Sequence, residues 1–96
     1  MRHLRLRPRA RQDIEQIWSY SLDNFGEQRA TEYIEAIRAA FKLLQQNPGL
    51  ARYSESGRPN LMKFRVGSHI LYFHATVQSI DVVRILHGRM DFPRHL

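Results

Sequence analysis

The chain opens on a short alternating segment that runs straight into helical periodicity. Between His3 and Arg7, Leu4 and Leu6 alternate with basic residues, which is the period-two pattern of a strand with one buried face. Pro8 has no backbone N–H to donate, so it fits the first turn of a helix better than its interior. The sequence therefore predicts a strand followed directly by a helix.

Two stretches carry apolar residues at the three- and four-residue spacing of an amphipathic helix. The stripe of the first helix consists of Ile14, Ile17, Trp18, Leu22 and Phe25. The stripe of the second consists of Ala30, Tyr33, Ile34, Ile37, Phe41 and Leu44. Gly26 is suited to the turn between them, and Asn47-Pro48 ends the second helix. Because the link is so short, the two helices are expected to form an antiparallel hairpin.

The remaining sequence predicts a loop over residues 48–60 and then three strands. The strands cover residues 61–66, 69–75 and 80–86, and Gly67-Ser68 is a two-residue turn signal between the first two. The third is apolar on both faces apart from two charged residues, so we expect it inside the sheet. The core is expected to contain Trp18, Ile34, Phe41, Phe64 and Val83.

These elements follow the order β-α-α-β-β-β. That order predicts an α+β fold, with the helical hairpin packed on one face of a small, mainly antiparallel sheet. A chain of 96 residues is short for two cores, so residues 1–96 are expected to form a single domain.

The charge changes this picture, because it is large and unevenly placed. The net charge is +6, and residues 1–11 contain five arginines and no acid. Residues 12–60 hold five basic and seven acidic residues, whereas residues 61–96 hold five basic and two acidic ones. Two basic ends imply an acidic partner, either nucleic acid or an acidic protein. With no cysteine and no long apolar run, the chain is expected to be soluble and cytoplasmic, without membrane contact.

Candidate chemistry is sparse. The five histidines show no metal-binding spacing and the five glycines no phosphate loop, so we expect neither a metal nor a cofactor. Most carboxylates fall in the helices, where we expect them to face solvent. One cluster remains: Arg84, His87 and Arg89 end the third predicted strand, and Lys63 and Arg65 share one face of another. Such a cluster can act on RNA, dock an acidic peptide, or simply be exposed charge.

Several segments together resemble the ParE/RelE superfamily of bacterial toxins, and within it the ParE branch. Residues 9–14 with Ile17 and Trp18 are similar to its helix opening, and residues 64–69 (FRVGSH) to its strand–turn–strand. Asn47-Pro48 and Arg58-Pro59 also fit. The most specific stretch is residues 82–91 (VVRILHGRMD), followed by 94–96. The resemblance covers essentially the whole chain.

The resemblance implies one of two activities. RelE-like and YoeB-like toxins are ribosome-dependent messenger-RNA endonucleases that carry a tyrosine near the C-terminus with basic or Glu/His partners. ParE-like toxins lack that set and poison DNA gyrase by trapping its cleaved-DNA complex. This chain has no tyrosine in residues 91–96 and no glutamate in its last 41 residues. The sequence therefore departs from the nuclease pattern, and this favours the interpretation as a ParE-like toxin.

The expected function is thus inhibition of DNA gyrase or a related type II topoisomerase, by a binding poison and not an enzyme. The resemblance implies neutralisation by a ParD-like antitoxin that is small, acidic and partly disordered. We assign antitoxin contact to Arg65, Tyr72, Arg84 and His87. We assign target contact to Arg89, Met90, Asp91, Phe92 and Arg94. The alternative is a ribosome-dependent endoribonuclease that uses His87, Arg65 and Arg89, and direct nucleic-acid binding is a secondary expectation.

Overall fold

The computed structural model describes residues 1–55 and 58–90, and within them it confirms the predicted order of elements. Two long helices follow the first strand, and the other strands come after them. The elements are β1 (His3–Leu6), α1 (Pro8–Phe25), α2 (Glu27–Gln46), a 3-10 turn (Pro48–Leu50), β2 (Arg52–Tyr53), β3 (Met62–Val66), β4 (His69–Ala75) and β5 (Ser79–His87). The 3-10 turn and β2 lie in the region predicted as loop.

The five strands form one mixed sheet in the order β1-β5-β4-β3-β2. β1 runs parallel to β5, and the other neighbouring pairs are antiparallel. β5 therefore lies between β1 and β4, as its two apolar faces predicted. The α+β fold with a helical hairpin on a mainly antiparallel sheet is confirmed.

The helix boundaries follow the residues that the sequence pointed to. Pro8 occupies the first turn of α1, where a missing N–H leaves no bond unmade. Gly26 ends α1 with a φ of 86°, a conformation that favours glycine, and its N–H donates to the carbonyl of Leu22. Asn47 follows α2, and its side chain accepts a hydrogen bond from the N–H of Gly49. Local hydrogen bonds at Gly26 and Asn47 thus define where the two helices end.

The main core lies between the helical hairpin and the sheet. Phe41 is buried in it, and Ile34 and Phe64 pack against it while partly exposed, so these three predictions are confirmed. Trp18 is a correction: it is partly exposed between the two helices and does not belong to the buried cluster. The cluster consists of Ala10, Ile17, Ile37, Ala40, Phe41, Leu44, Leu71, Phe73, Ile80, Val82 and Ile85.

A second, smaller cluster occupies the opposite side of the sheet, which we call the outer face. It contains Leu61, Tyr72, Val83 and Leu86, each no more than 6% exposed. Val83 is therefore buried as predicted, although on the other side of the sheet. A bulge explains its place: Tyr72 pairs with Arg84 and Phe73 with Val82, so Val83 is the extra residue.

The face that α1 buries differs from the predicted stripe. Leu22 and Phe25 are 39% and 55% exposed, whereas the buried residues are Ala10, Asp13, Ile17 and Ser21. Asp13 also corrects the expectation that the helical carboxylates face solvent, since it is only 6% exposed. α1 is therefore oriented with the carboxylate of Asp13 towards the interior and with Leu22 and Phe25 towards solvent.

Candidate functional site

The buried carboxylate of Asp13 joins α1 to β5 through three hydrogen bonds. Arg84 donates from Nε to Oδ2 at 2.8 Å and from Nη2 to Oδ1 at 2.9 Å, and the N–H of Ile85 donates to Oδ2 at 2.9 Å. The two side chains are only 7% and 11% exposed. These bonds raise the pKa of Arg84. A two-pronged guanidinium–carboxylate pair of this kind fixes the helix against the strand at one position.

The same bonds mark an open strand edge. β1 pairs only with residues 79–82 of β5, so within residues 1–55 and 58–90 no strand covers residues 83–87 on that side. The N–H of Ile85 points to this edge and is satisfied by Asp13. Gly88 donates its N–H to the carbonyl of Ser68, which places His69 opposite His87 in a non-hydrogen-bonded pair. The backbone N–H of His87 therefore also points towards the open edge.

Tyr33 of α2 holds the β3–β4 turn at one end of this edge. Its hydroxyl donates to the carbonyl of Val66 at 3.2 Å, accepts the N–H of Ser68 at 3.0 Å, and lies 2.6 Å from Nδ1 of His69. Gly67 makes this approach possible, because a Cβ there would lie 2.6 Å from Cε1 of Tyr33. The turn, α2 and β4 are thereby tied together through one phenol.

Two histidines stand side by side across β4 and β5. The rings of His69 and His87 are 5.4 Å apart and nearly perpendicular. Burial lowers the pKa of His69 from its ordinary 6.5; the nearby His87 lowers it further, and Asp13 opposes the shift. The folded environment of His69 therefore favours the neutral form of its ring.

His87 uses one of its ring nitrogens locally. Its Nδ1 accepts the backbone N–H of Arg89 at 3.1 Å, and its carbonyl accepts the N–H of Met90 at 2.9 Å. A neutral imidazole whose Nδ1 accepts a hydrogen bond carries its proton on Nε2. His87 thus presents its Nε2–H as a donor, and the lone pair on Nδ1 is already used by the N–H of Arg89.

These elements enclose a groove of about 550 Å³, which we call the edge groove. Its lining is mostly apolar and comes from both helices, the β3–β4 turn and the end of β5. Tyr20, Phe25 and Met90 are 63%, 55% and 45% exposed, so large apolar groups face water here. Arg29 supplies charge and His87 supplies a hydrogen-bond donor at the same place. Exposed apolar groups interspersed with polar ones are typical of a surface that binds another molecule.

The structure separates the four residues predicted to contact an antitoxin. Arg84 and His87 both line the edge groove. Arg65 is exposed on the outer face, with its guanidinium close to Gly88. Tyr72 lies in the buried outer cluster, where burial raises the pKa of its hydroxyl. The groove therefore brings two of the four together.

Of the residues predicted to contact a target, two lie in the described part of the chain. Arg89 and Met90 are both exposed, and Met90 forms one wall of the edge groove. Asp91, Phe92 and Arg94 lie outside the described residues.

Sequence reasoning did not identify several groove-lining residues as part of a site. These are Asp13, Tyr20, Phe25, Tyr33 and His69. One signal was present. Asp13 lies four residues before Ile17, on the same helical stripe, where a carboxylate needs a buried partner. Pairing across 71 positions with Arg84 was not visible in the sequence.

The lowered pKa of His69 predicts a pH-dependent stability. Its folded pKa lies below 6.5, so as the pH falls below this value the unfolded chain takes up more protons than the folded one. We expect the melting temperature to decrease between pH 6.5 and 5 and to be insensitive to this group above 6.5. His69→Gln should flatten the profile, whereas His3→Gln, at an exposed position, should leave it unchanged. Parallel profiles for wild type and His69→Gln, recorded by circular dichroism, would contradict this.

Comparison with known proteins first defines the fold. A solved chain described as "Chromosomal ParDE TA system from P. aeruginosa" superposes with a TM-score of 0.75 and 20% identity, over 91% of this chain and 96% of that one. No helix in the described residues is long and apolar enough to cross a membrane. Those residues also contain no group of three or more side chains suited to a metal ion.

The sequence comparisons then define the family. The family model described as ParE toxin of type II toxin-antitoxin system, parDE, matches residues 4–92. Toxin ParE1 of Mycobacterium tuberculosis is 37% identical over 92 residues, 95% of this chain and 94% of the relative. Toxin ParE1 of Caulobacter vibrioides is 29% identical over 96 residues, 100% of this chain and 99% of the relative. The chain belongs to the ParE toxin family of type II toxin–antitoxin systems.

Proposed function

We propose that this chain inhibits a type II topoisomerase, DNA gyrase or a close relative, by stabilising its cleaved-DNA complex. We propose further that a small, acidic, ParD-like antitoxin neutralises it by folding into the edge groove. Such an inhibitor acts in the cytoplasm, where its target and antitoxin are. The observation that carries the antitoxin half is the groove itself, because Tyr20, Phe25 and Met90 expose large apolar surface beside the cation Arg29.

The groove offers two kinds of binding energy to a disordered partner. Apolar side chains of an incoming segment can cover Tyr20 and Phe25, which already stack edge to face with ring centroids 6.2 Å apart. The open edge of β5 can accept an extended backbone, because His87 points its N–H that way. A segment that folds on binding gains from both, and this gain offsets the cost of ordering it.

Charge favours an acidic partner. The chain carries a net +6, and Arg29 stands at the groove. Attraction between opposite charges mainly accelerates association, and it is screened over about 10 Å at 0.1 M salt. We therefore propose that salt slows complex formation while the apolar contacts in the groove hold the complex together.

The local chemistry gives little support to the endonuclease alternative. A general base needs an unshared lone pair, and Nδ1 of His87 is engaged by the N–H of Arg89. Asp13 is the only carboxylate that lines the edge groove in the described residues, and its oxygens are used by Arg84 and Ile85. These contacts favour a binding poison over a nuclease.

A poison must bind the cleaved complex more tightly than it binds the free enzyme. We propose that the C-terminal segment supplies this contact through Arg89, Met90, Asp91, Phe92 and Arg94. The segment combines cations with methionine and phenylalanine, a composition enriched at protein interfaces. The first two of these residues are exposed beside the groove, so an antitoxin seated there would lie next to the target-binding segment. This proximity explains how one partner could block the other.

The antitoxin half of the proposal is tested in the groove. Tyr20→Ser with Phe25→Ser removes two exposed aromatic groups, so we expect antitoxin affinity to fall by roughly 10- to 100-fold, in the range of interface hot spots. The matched control is Tyr53→Ser, which removes a 68% exposed tyrosine from the opposite edge of the sheet. Calorimetric titration with the cognate antitoxin measures both. Equal affinities for the groove variant and the control would place the antitoxin elsewhere.

A further inference from the structure

The outer face of the sheet carries cations that the edge groove does not use. The alternate residues of β3 pack on the main core, so Lys63 and Arg65 point to the outer face. Arg52 of β2 is the cross-strand neighbour of Lys63 and lies on the same face. At the other end of the sheet, Arg5 of β1 projects from this face opposite Asp81. Four cations thus span the sheet from edge to edge.

Carboxylates do little to neutralise this face. Three acids lie on α1 and three on α2, whereas the five strands contain one, Asp81. Asp81 is already paired with Arg7, whose Nη2 lies 2.9 Å from Oδ2. Within residues 1–55 and 58–90, none of the four outer-face cations forms an ion pair. Six of the acids therefore lie on the helices, and the four cations of the outer face have no carboxylate partner within the described residues.

Within the described residues, the outer face offers charge with little exposed apolar surface. Its apolar residues Leu61, Tyr72, Val83 and Leu86 are at most 6% exposed, and Ile70 is partly buried against them. A folding polypeptide needs apolar surface to offset its ordering, and that surface lies in the edge groove instead. A phosphate backbone needs only cations at suitable separations. The face therefore suits nucleic acid better than it suits an antitoxin segment.

We infer that the outer face of the sheet binds the phosphate backbone of duplex DNA through Arg5, Arg52, Lys63 and Arg65. The four strand spacings between Arg5 and Arg52 amount to about 19 Å at ~4.8 Å each. The major groove is about 12 Å wide, so cations at the two ends reach phosphates on both of its sides. Contacts of this kind position a protein on DNA without reading its sequence.

In one respect this inference rests on the proposed function: a topoisomerase trapped on cleaved DNA holds the duplex that the outer face would contact. An inhibitor that contacts DNA as well as protein binds the DNA-loaded enzyme more tightly than the free enzyme. That difference in affinity is what a poison of the cleaved complex requires.

Fluorescence anisotropy of the full-length chain with a labelled 20-base-pair duplex of mixed sequence tests the inference. The sheet variant is Arg52→Gln, Lys63→Gln and Arg65→Gln. The control, Arg9→Gln, Arg11→Gln and Lys42→Gln, removes the same charges from exposed positions on the helices. We expect the sheet variant to lose at least about 10-fold in affinity and the control less than about twofold. The slope of log K against log salt should fall by about 2.7 in the sheet variant if each cation contacts one phosphate.

Three results would overturn the inference. The first is no binding by the wild type at 50 mM salt, and the second is an equal loss in both variants. The third is a loss of antitoxin affinity in the sheet variant as large as its loss for DNA, because the face would then belong to the antitoxin. Matching melting curves exclude unfolding of the variants. A wild type that traps gyrase without binding the duplex refutes this inference alone, whereas one that binds the duplex without trapping gyrase refutes only the proposed function.

Discussion

Asp13→Ala is expected to destabilise the protein by about 3–5 kcal/mol, because it leaves a buried guanidinium without its counter-charge. The Arg84 side chain is only 11% exposed and would lose both of its bonds to the carboxylate. The N–H of Ile85 would lose its acceptor as well. For a chain of this size the loss is equivalent to a drop in melting temperature of more than about 12 °C.

The matched control is Asp23→Ala, which removes an exposed carboxylate from the same helix. Urea unfolding followed by circular dichroism should show a change within about 0.5 kcal/mol for this control. Combining Asp13→Leu with Arg84→Met removes both charges, so we expect it to recover most of the loss. The remaining deficit reports the unpaired N–H of Ile85. An Asp13→Ala variant as stable as the control would show that the ion pair does not hold α1 on β5.

Phe41→Ala is expected to destabilise the protein by about 3–5 kcal/mol, the usual range for a buried aromatic side chain. Phe41 is 4% exposed and lies in the main core between α2 and the sheet. Total stabilities are typically about 5–15 kcal/mol, so this one change could unfold much of the population at 37 °C.

Leu43→Ala, two residues further along α2, provides the contrast because Leu43 is 43% exposed. Chemical denaturation of both variants should give a small change for Leu43→Ala and a several-fold larger one for Phe41→Ala. A loss below about 1 kcal/mol at Phe41 would mean that α2 does not present this face to the sheet.

The fold could be predicted from the sequence because the spacing of apolar residues indicates which side chains are removed from water. The spacing could not report which molecule covers them. Leu22 and Phe25 continue the apolar stripe of α1, yet both are exposed, and Phe25 lines the edge groove. Apolar residues that bind a partner and apolar residues that pack in the core follow the same helical spacing in the sequence. For this reason the sequence predicts a buried face of α1 that includes Leu22 and Phe25, whereas the structure buries the face with Ala10 and Asp13.

The candidate site was less accessible because it depends on register. His69 meets His87 only through the β4–β5 pairing, which contains a bulge after Tyr72. Arg84 and His87 were selected as cations at a strand end, and both line the groove. Tyr72 was selected with them, but alternation along β4 places it in the outer cluster. Contacts between residues 71 positions apart, such as Arg84 with Asp13, follow from tertiary packing alone.

The proposal that the chain poisons a topoisomerase is tested most directly by the cleavage reaction of purified DNA gyrase on supercoiled plasmid. After denaturation and proteolysis, linear DNA reports trapped cleaved complexes. We expect the full-length chain to increase linear DNA in a dose-dependent manner, and a stoichiometric amount of its antitoxin to abolish the increase. A chain ending at Met90 should melt near the full-length value and trap no complexes. Unchanged gyrase cleavage, together with messenger-RNA cuts on translating ribosomes that disappear in His87→Ala, would contradict the proposal and establish the endonuclease alternative.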